Sequence, residues 1–272
     1  MSDEKPASPV VANPWAGLKR FTSARIALGR TGTSLPTAPH LEFQLAHARA
    51  RNAVHHALDS GTLADALRQD GLEVIEIHSA AATRPVYLQR PDKGRMLDEV
   101  SRTALASLPA PAQPYDLAIV IGDGLSALAI EQNARPFLKA LLPAIAAAGW
   151  RLAPVCVARQ ARVALGDEAG ALLGGRIVVV LIGERPGLSS PDSMGLYMTY
   201  GPQPGLTDEA RNCISNVRPE GLSYERAAHK LSYLIGEAFK RQMSGVMLKD
   251  EADEIADGII GPAGRNFLTH GG

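Results

Sequence analysis

Apolar residues change their spacing repeatedly along this chain, and the changes predict where strands and helices lie. Compact runs rich in Val, Ile and Leu are typical of buried strands, and they cover residues 72–79, 116–122, 152–158, 176–183 and 195–201. Between them, apolar positions at helical spacing predict helices over residues 93–108, 126–149, 163–174 and 223–243, the second broken near Pro136. Strands that alternate with helices favour a mostly parallel sheet covered on both faces, so we predict an α/β fold of the doubly wound class.

The chain before residue 60 lacks this alternation. Residues 1–14 are rich in Pro, Ser and Ala, which predicts a disordered lead. Residues 15–60 predict an N-terminal helical arm whose main helix covers residues 40–59. Because apolar side chains of the arm lie outside the sheet region, we expect the arm to pack on a partner chain. A sheet domain over residues 61–246 and an acidic, Gly-rich C-terminal tail over 247–272 complete the predicted organisation.

Composition and charge argue against several classes of protein. The chain has 272 residues, and its 28 Lys and Arg are balanced by 28 Asp and Glu, so no net field attracts nucleic acid or an anionic membrane. No apolar run reaches the roughly 18–20 residues that span a bilayer, and the N-terminus has no signal-like stretch. We therefore expect a cytoplasmic protein without a nucleic-acid or membrane partner. Cys156 lies in a predicted strand and Cys213 follows a polar stretch, so we expect no disulfide.

Glu184 is the most informative candidate for ligand binding. It is the first ionisable residue after the predicted strand 176–183, in the sequence Gly183-Glu184-Arg185-Pro186-Gly187. Open parallel sheets bind ligands in the crevice at the carboxyl ends of their strands, which is where this carboxylate is expected. Chemistry alone gives equal weight to an alternative, in which Glu184 caps a following helix and pairs with Arg185.

A second candidate is the loop Gly122-Asp123-Gly124-Leu125-Ser126-Ala127, which matches the dinucleotide fingerprint Gly-x-Gly-x-x-Ala after a predicted strand. A nicotinamide-dependent oxidoreductase is therefore an alternative function. Against it, the next predicted strand leads to Arg159, where such enzymes place an acidic residue for the ribose. The glycines are also explained by a tight turn in a scaffold without a ligand, or by contact with another ligand through Asp123.

Catalytic and metal chemistry have no convincing pattern in this sequence. The residues around Ser126 read Gly-x-Ser-x-Leu, which lacks the second glycine of a hydrolase nucleophile elbow. Four histidines share a predicted polar helix without metal-ligand spacing: His40, His47, His55 and His56. We therefore expect no catalytic residue and no metal site. By chemistry alone, Val163 and Cys213 are explained as packing residues.

Six stretches resemble the small subunit of ethanolamine ammonia-lyase, in that subunit's order and spacing. They are ARIALGRTGTSLPT, YLQRPDKGRML, IGDGLSALAI, the pair Arg162-Val163, LIGERPGL and RNCISN. The resemblance covers residues 15–246, and several motifs matching in order are more specific than one fingerprint. It implies a Rossmann-like fold for the sheet domain.

The resemblance implies an adenosylcobalamin-dependent lyase that converts ethanolamine to acetaldehyde and ammonia. In that family the large subunit holds the substrate and the radical chemistry, while the small subunit covers part of the cobalamin. Carried over residue by residue, the cobalamin contacts fall on Val163, Glu184 and Cys213. The chain has no Asp-x-His-x-x-Gly, and the resemblance implies that the cofactor binds base-on. We therefore expect a non-catalytic, cofactor-binding subunit in a hetero-oligomer with the large subunit, and leave open whether a bacterial microcompartment encloses it.

Overall fold

The computed structural model describes residues 9–22 and 24–252, and a six-stranded sheet forms its centre. The strands are β1 (Val74–His78), β2 (Tyr115–Gly122), β3 (Val155–Arg159), β4 (Gly175–Gly183), β5 (Met194–Tyr200) and β6 (Arg211–Val217). The helices are α1 (Thr37–His55), α2 (Ser60–Gln69), α3 (Arg84–Gln89), α4 (Glu99–Ala106), α5 (Ala127–Ala147), α6 (Leu165–Leu172) and α7 (Tyr224–Arg241). The α/β class predicted from the sequence is confirmed.

The sheet is mixed, and its strands have the spatial order β1-β3-β2-β4-β5-β6. The first four in this order pair in parallel, whereas β5 pairs antiparallel with both β4 and β6. It follows that β6 runs in the direction of β4, so both strands end at the same edge of the sheet. Strand β6 is not predicted from the sequence because its buried positions Arg211, Ile214 and Val217 do not alternate.

Both faces of the sheet are buried. On β2, Leu117, Ile119 and Ile121 belong to a core shared with α2, α5 and α7, whereas Ala118 and Val120 belong to a core shared with α4 and α6. A strand buried on both sides cannot alternate between apolar and polar residues, which explains the near-continuous apolar runs of β2 and β4.

Helix α5 continues through two prolines, so the predicted break near Pro136 is wrong. Pro136 and Pro143 both lie inside the helix, and both side chains face solvent. Each proline deprives a carbonyl one turn earlier of its hydrogen bond, but an exposed carbonyl can bind water instead. The opposite face buries Phe137, Leu138 and Leu141 in the core, which holds the helix together across the prolines.

The predicted helix 93–108 is interrupted. Residues Lys93–Arg95 form a short 3₁₀ turn, and α4 begins only at Glu99. The intervening backbone bonds to the extension of β1: Ala80 N–H donates to the Met96 carbonyl at 2.9 Å. Tertiary pairing therefore overrides local helix propensity here, and the Asp98 side chain caps α4 by accepting from the Ser101 N–H.

The N-terminal segment, defined here as residues 9–22 and 24–57, leaves many large apolar side chains exposed. It contains a 3₁₀ helix, Pro14–Phe21, and α1, which buries Ala46 and Ala53. Its exposed apolar side chains include Val11, Trp15, Phe21, Leu41, Phe43 and Leu45. The helix predicted over residues 40–59 lies nearer the N-terminus, at Thr37–His55, and the following Leu58 already belongs to the core. In the part of the chain that the structure describes, no helix is long and apolar enough to cross a bilayer.

Candidate functional site

A cleft of about 400 Å³ opens where β2 and β4 end and where the chain turns into α6. Val163 and Glu184 both line it. Cys213 lies on β6 opposite Tyr197 of β5, and Tyr197 lines the cleft. The structure therefore brings two of the three predicted contacts together and places the third at the border.

Three donors of this chain hold the Glu184 carboxylate. It accepts hydrogen bonds from the Ser193 and Ser215 hydroxyls, and from the Asn216 N–H at 3.2 Å. The Glu184 N–H in turn donates to the Ser193 carbonyl at 2.9 Å. Asn216, the penultimate residue of β6, has a left-handed backbone, φ 61°. Glu184 thus ties the loop after β4 to the carboxyl end of β6, which fixes its position at the cleft.

The alternative role for Glu184 as a helix cap is wrong. No helix follows Glu184: the chain passes through an irregular loop into β5. The exposed Arg185 makes no ion pair with Glu184 in the described structure. The carboxylate therefore stabilises the junction of loop and sheet instead of a helix end.

Val163 and Cys213 present neutral groups near Glu184. Val163 is half-buried in the turn before α6 and packs against the core on that face of the sheet. Cys213 is exposed, but its thiol is partly desolvated beside Tyr197. This desolvation, and to a smaller extent the Glu184 carboxylate, raises the pKa of Cys213, so the thiol stays protonated near neutral pH.

Two guanidinium groups lie over the ring of Tyr87 at one wall of the cleft. The Arg84 guanidinium carbon is 4.6 Å from the ring centroid and that of Arg162 is 4.4 Å from it. Tyr87 is fully buried and donates from its hydroxyl to the Ala161 carbonyl at 3.1 Å. Burial raises the pKa of Tyr87, so the ring stays a neutral platform.

Gly94 makes this close packing possible. The Arg162 N–H donates to the Gly94 carbonyl at 2.8 Å. A Cβ at Gly94 would lie 2.9 Å from Arg162 Cγ and 3.0 Å from ring carbons of Tyr87, so a side chain there would displace both. The stretch YLQRPDKGRML thus supplies the Tyr87 ring on which Arg162 stacks, and Gly94, which leaves room for both side chains.

The glycine-rich loop after β2 packs against protein instead of presenting an open phosphate cradle. Gly124 has φ 57°, and the Leu125 N–H donates to the Gly183 carbonyl at 2.9 Å. A Cβ at Gly183 would collide with the backbone of Asp123 and Ser126, so these two loops meet through glycine backbones. Close packing therefore explains the fingerprint glycines, as the turn interpretation predicts.

Asp123 is committed to internal contacts. It is buried and accepts from the Gln160 and Ala161 N–H groups, each at 2.9 Å. Arg84 lies 3.4 Å from its carboxylate and donates to the Gly124 carbonyl at 2.8 Å. Burial raises the pKa of Asp123. Its acceptors are thus used to join the ends of β2 and β3, and the expectation that Asp123 binds a ligand has no support in this geometry.

The remaining catalytic and metal candidates have structural contacts. Ser126 is buried, caps α5 and donates to the Pro191 carbonyl at 2.7 Å. His40 lies 2.8 Å from Gln44, and His56 lies 2.9 Å from Glu131. Within residues 9–22 and 24–252, no group of three or more His, Cys, Asp or Glu could hold a metal ion.

Two parts of this site are not predicted from the sequence. Val163 is predicted as a contact but the neighbouring Arg162 is not, and Tyr87 has no predicted role. The signal lies in the motif that contains Tyr87 and Gly94, which sequence analysis uses only for resemblance. The stacking of Arg162 on Tyr87 depends on the approach of two segments that are distant in sequence, which residue spacing does not reveal.

Comparison with known proteins agrees with the motifs that line this cleft. The family model "Ethanolamine ammonia-lyase light chain (EutC)" matches residues 12–249. Ethanolamine ammonia-lyase small subunits from Pseudomonas syringae pv. tomato, Azotobacter vinelandii and Ralstonia nicotianae are 60%, 56% and 54% identical to this chain. The alignments cover 96%, 98% and 98% of this chain and 93%, 98% and 99% of those proteins. The match includes every strand of the sheet and every residue of the cleft, and the chain belongs to the ethanolamine ammonia-lyase light-chain family.

Proposed function

We propose that this chain is the small subunit of an adenosylcobalamin-dependent ethanolamine ammonia-lyase, which converts ethanolamine to acetaldehyde and ammonia. Its cleft holds part of the cobalamin against a catalytic large subunit. The observation that carries the proposal is the grouping of Val163, Glu184 and the Tyr197–Cys213 pair at one edge of the sheet. These residues come from distant stretches of sequence, and the same edge is where open α/β sheets bind ligands.

The cleft suits one side of a large ligand that carries amides and hydroxyls. A volume of about 400 Å³ lies in the usual range for ligands much smaller than a cobalamin, so the cleft would hold an edge of the cofactor. Leu125, Val163 and Ile182 give it apolar walls. Arg162 Nε is a buried donor without a hydrogen-bond partner among the described residues, and an acceptor on a ligand in the cleft would satisfy it.

We assign this chain a positioning role. A carboxylate offers about four lone-pair sites, and three donors occupy the Glu184 carboxylate, so one site is left for an amide or hydroxyl of the cofactor. Val163 and the neutral Cys213 thiol provide apolar contact beside it. When bound, adenosylcobalamin supplies radical chemistry through homolysis of its cobalt–carbon bond. We assign no catalytic residue to this chain, and the cofactor is expected to bind base-on.

Two wider features support this division of roles between the N-terminal segment and the sheet domain. The exposed apolar residues of the N-terminal segment, Trp15 and Phe21 among them, offer a surface for a partner. The parallel strands β1 to β4, with helices on both faces, support a Rossmann-like doubly wound core that presents the cleft at its edge. The N-terminal arm would then bind the partner while the sheet domain positions the cofactor.

Coexpression with an ethanolamine ammonia-lyase large subunit tests the proposal. We expect the two chains to copurify, the purified complex to show the visible spectrum of base-on cobalamin after incubation with the cofactor, and deamination to require both chains. Turnover of ethanolamine by this chain alone, in highly purified form, would contradict the positioning role. A complex that binds no cobalamin would contradict the cofactor-binding role.

A further inference from the structure

The cleft contains a cation that has no counter-ion among the described residues of this chain. Arg162 lines it, and within the described structure its side chain makes neither an ion pair nor a hydrogen bond. Its charged surroundings differ from those of the nearby Arg211, which is buried and paired with Asp167 and Asp208. An unpaired guanidinium held in a half-buried site is costly unless a partner arrives from outside the chain.

Arg162 is also held in place before any ligand binds. Its guanidinium stacks on Tyr87 at 4.4 Å, and its backbone N–H is fixed to the Gly94 carbonyl at 2.8 Å. Tyr87 is in turn held by the Arg84 guanidinium and by its hydrogen bond to the Ala161 carbonyl. Stacking restricts a flexible side chain without using its N–H donors, so less entropy is lost when Arg162 binds an anion.

The other charged groups of the cleft do not neutralise Arg162. Glu184 forms its hydrogen bonds with the Ser193 and Ser215 hydroxyls and the Asn216 N–H, and none with Arg162. The lining holds two arginines, Arg162 and Arg185, against this one carboxylate. A smaller cavity, which Arg162 and Val163 also line, includes Arg95 and Asp208. That Asp208 carboxylate already pairs with Arg211 at 3.2 Å and lies 4.0 Å from Arg95. The cleft therefore favours an acceptor that carries negative charge.

We propose that Arg162 binds the phosphodiester of the cofactor's nucleotide loop. This inference rests on the proposed function. The peripheral side chains of a cobalamin are neutral amides and its ribose is neutral, so the phosphodiester is the one anionic group that the molecule offers. A planar guanidinium matches a phosphate with two parallel hydrogen bonds, whereas an amide carbonyl would leave its charge uncompensated.

The test compares two cobalamin analogues that lack the lower base. Cobinamide carries no phosphate, and cobinamide phosphate carries the phosphate alone. Visible titration of the complex of both subunits gives a dissociation constant for each. We expect the native complex to bind the phosphate-bearing analogue at least about ten-fold more tightly, the usual gain from a charge-assisted hydrogen bond. In Arg162→Gln this preference should disappear, and in Arg162→Lys part of it should remain.

Two variants control for general damage to the cleft. Val163→Ala removes an apolar contact and should weaken both analogues by the same factor. Gly94→Ala displaces Arg162 from its platform and should reduce the phosphate preference as Arg162→Gln does. Melting temperatures of each complex establish that the variants are folded.

Three results would overturn the inference. They are a native complex without a phosphate preference, an Arg162→Gln complex that keeps it, or an Arg162→Gln complex that loses the same factor for both analogues. The proposed function survives all three, since adenosylcobalamin would still bind. A native complex that binds neither the analogues nor adenosylcobalamin refutes the proposed function and this inference together.

Discussion

The N-terminal segment and the sheet domain place their apolar side chains in opposite environments. Leu45 of α1 is 54% exposed, whereas Leu141 of α5 is 1% exposed. The sheet domain has two continuous cores, and α1 buries just two alanines. The two regions nevertheless meet beside the cleft, where Arg84 Nε donates to the Val54 carbonyl at 2.8 Å. The sheet domain thus buries its own apolar side chains, whereas the N-terminal segment leaves many of its own exposed, and we expect a partner to cover them.

Removing residues 1–36 is expected to have the largest effect on assembly and a small effect on the fold. The deletion removes exposed aromatic residues, including Trp15 and Phe21, that we expect to anchor the partner. It retains Val54 and Leu58, which contact the sheet domain. Copurification with the large subunit should fall by at least about ten-fold, the loss expected from removing one anchor of an interface.

The melting temperature of the truncated chain serves as the control. It should stay within a few degrees of that of the full chain, since the deletion removes one described buried residue, Pro36, and no residue of the two cores. Full copurification would show that the N-terminal segment is not the partner surface. A collapse of the melting transition would show that the two regions are not separable.

A matched pair of leucine substitutions sharpens the comparison. Leu141→Ala should lower the free energy of unfolding by about 2–5 kcal/mol because it leaves a cavity in the core. Leu45→Ala should change it by less than about 0.5 kcal/mol but weaken copurification. Urea denaturation of both chains and pull-down with the large subunit measure the two effects. Equal losses of stability would contradict the division into two regions.

Glu184→Gln is expected to affect both stability and ligand binding, unlike either leucine. The amide can no longer accept from all three donors, so the melting temperature should fall moderately. Affinity for adenosylcobalamin should drop by about ten-fold, because an uncharged group keeps part of the hydrogen bond. A titration of the complex by visible spectroscopy measures this drop, and subunit assembly should be intact.

Ser215→Ala separates the two effects of Glu184. It removes one internal donor but leaves the carboxylate, so stability should fall while cofactor affinity changes less than in Glu184→Gln. If Glu184→Gln lowered the melting temperature but left the affinity for adenosylcobalamin unchanged, Glu184 would have no role in binding the cofactor.

The smallest expected effect is a change in the alkylation rate of the Cys213 thiol. It tests whether assembly also covers a surface of the sheet domain. The raised pKa of Cys213 means that less thiolate is present at pH 7, so alkylation by iodoacetamide should be a few-fold slower than for a free cysteine and should accelerate as pH rises. Assembly with the large subunit and cofactor should protect it further. Mass spectrometry measures the labelling, and Cys213→Ser identifies the site. Equal rates in the free chain and the loaded complex would place Cys213 outside the covered surface.

The sequence predicts the sheet domain better than the site. The runs that form β2 and β4 are recognisable because burial on both faces leaves them continuously apolar. By contrast, β6 is not recognisable, since its buried positions do not alternate. The position of Glu184 follows from its place after a strand, but the Ser193, Ser215 and Asn216 donors come from a loop and an unpredicted strand. The Tyr87–Arg162 contact likewise depends on how loops meet in three dimensions.

We expect the two prolines on the exposed face of α5 to affect the order in which the chain folds. A proline inside a helix costs about 3 kcal/mol, and α5 contains two, so local interactions alone do not sustain it. The segment 127–147 should therefore be largely unstructured as an isolated peptide and become helical as Phe137 and Leu141 reach the sheet. Helix formation and core formation are then one cooperative event, and the nascent chain must extend past β4 before α5 can close over its strands.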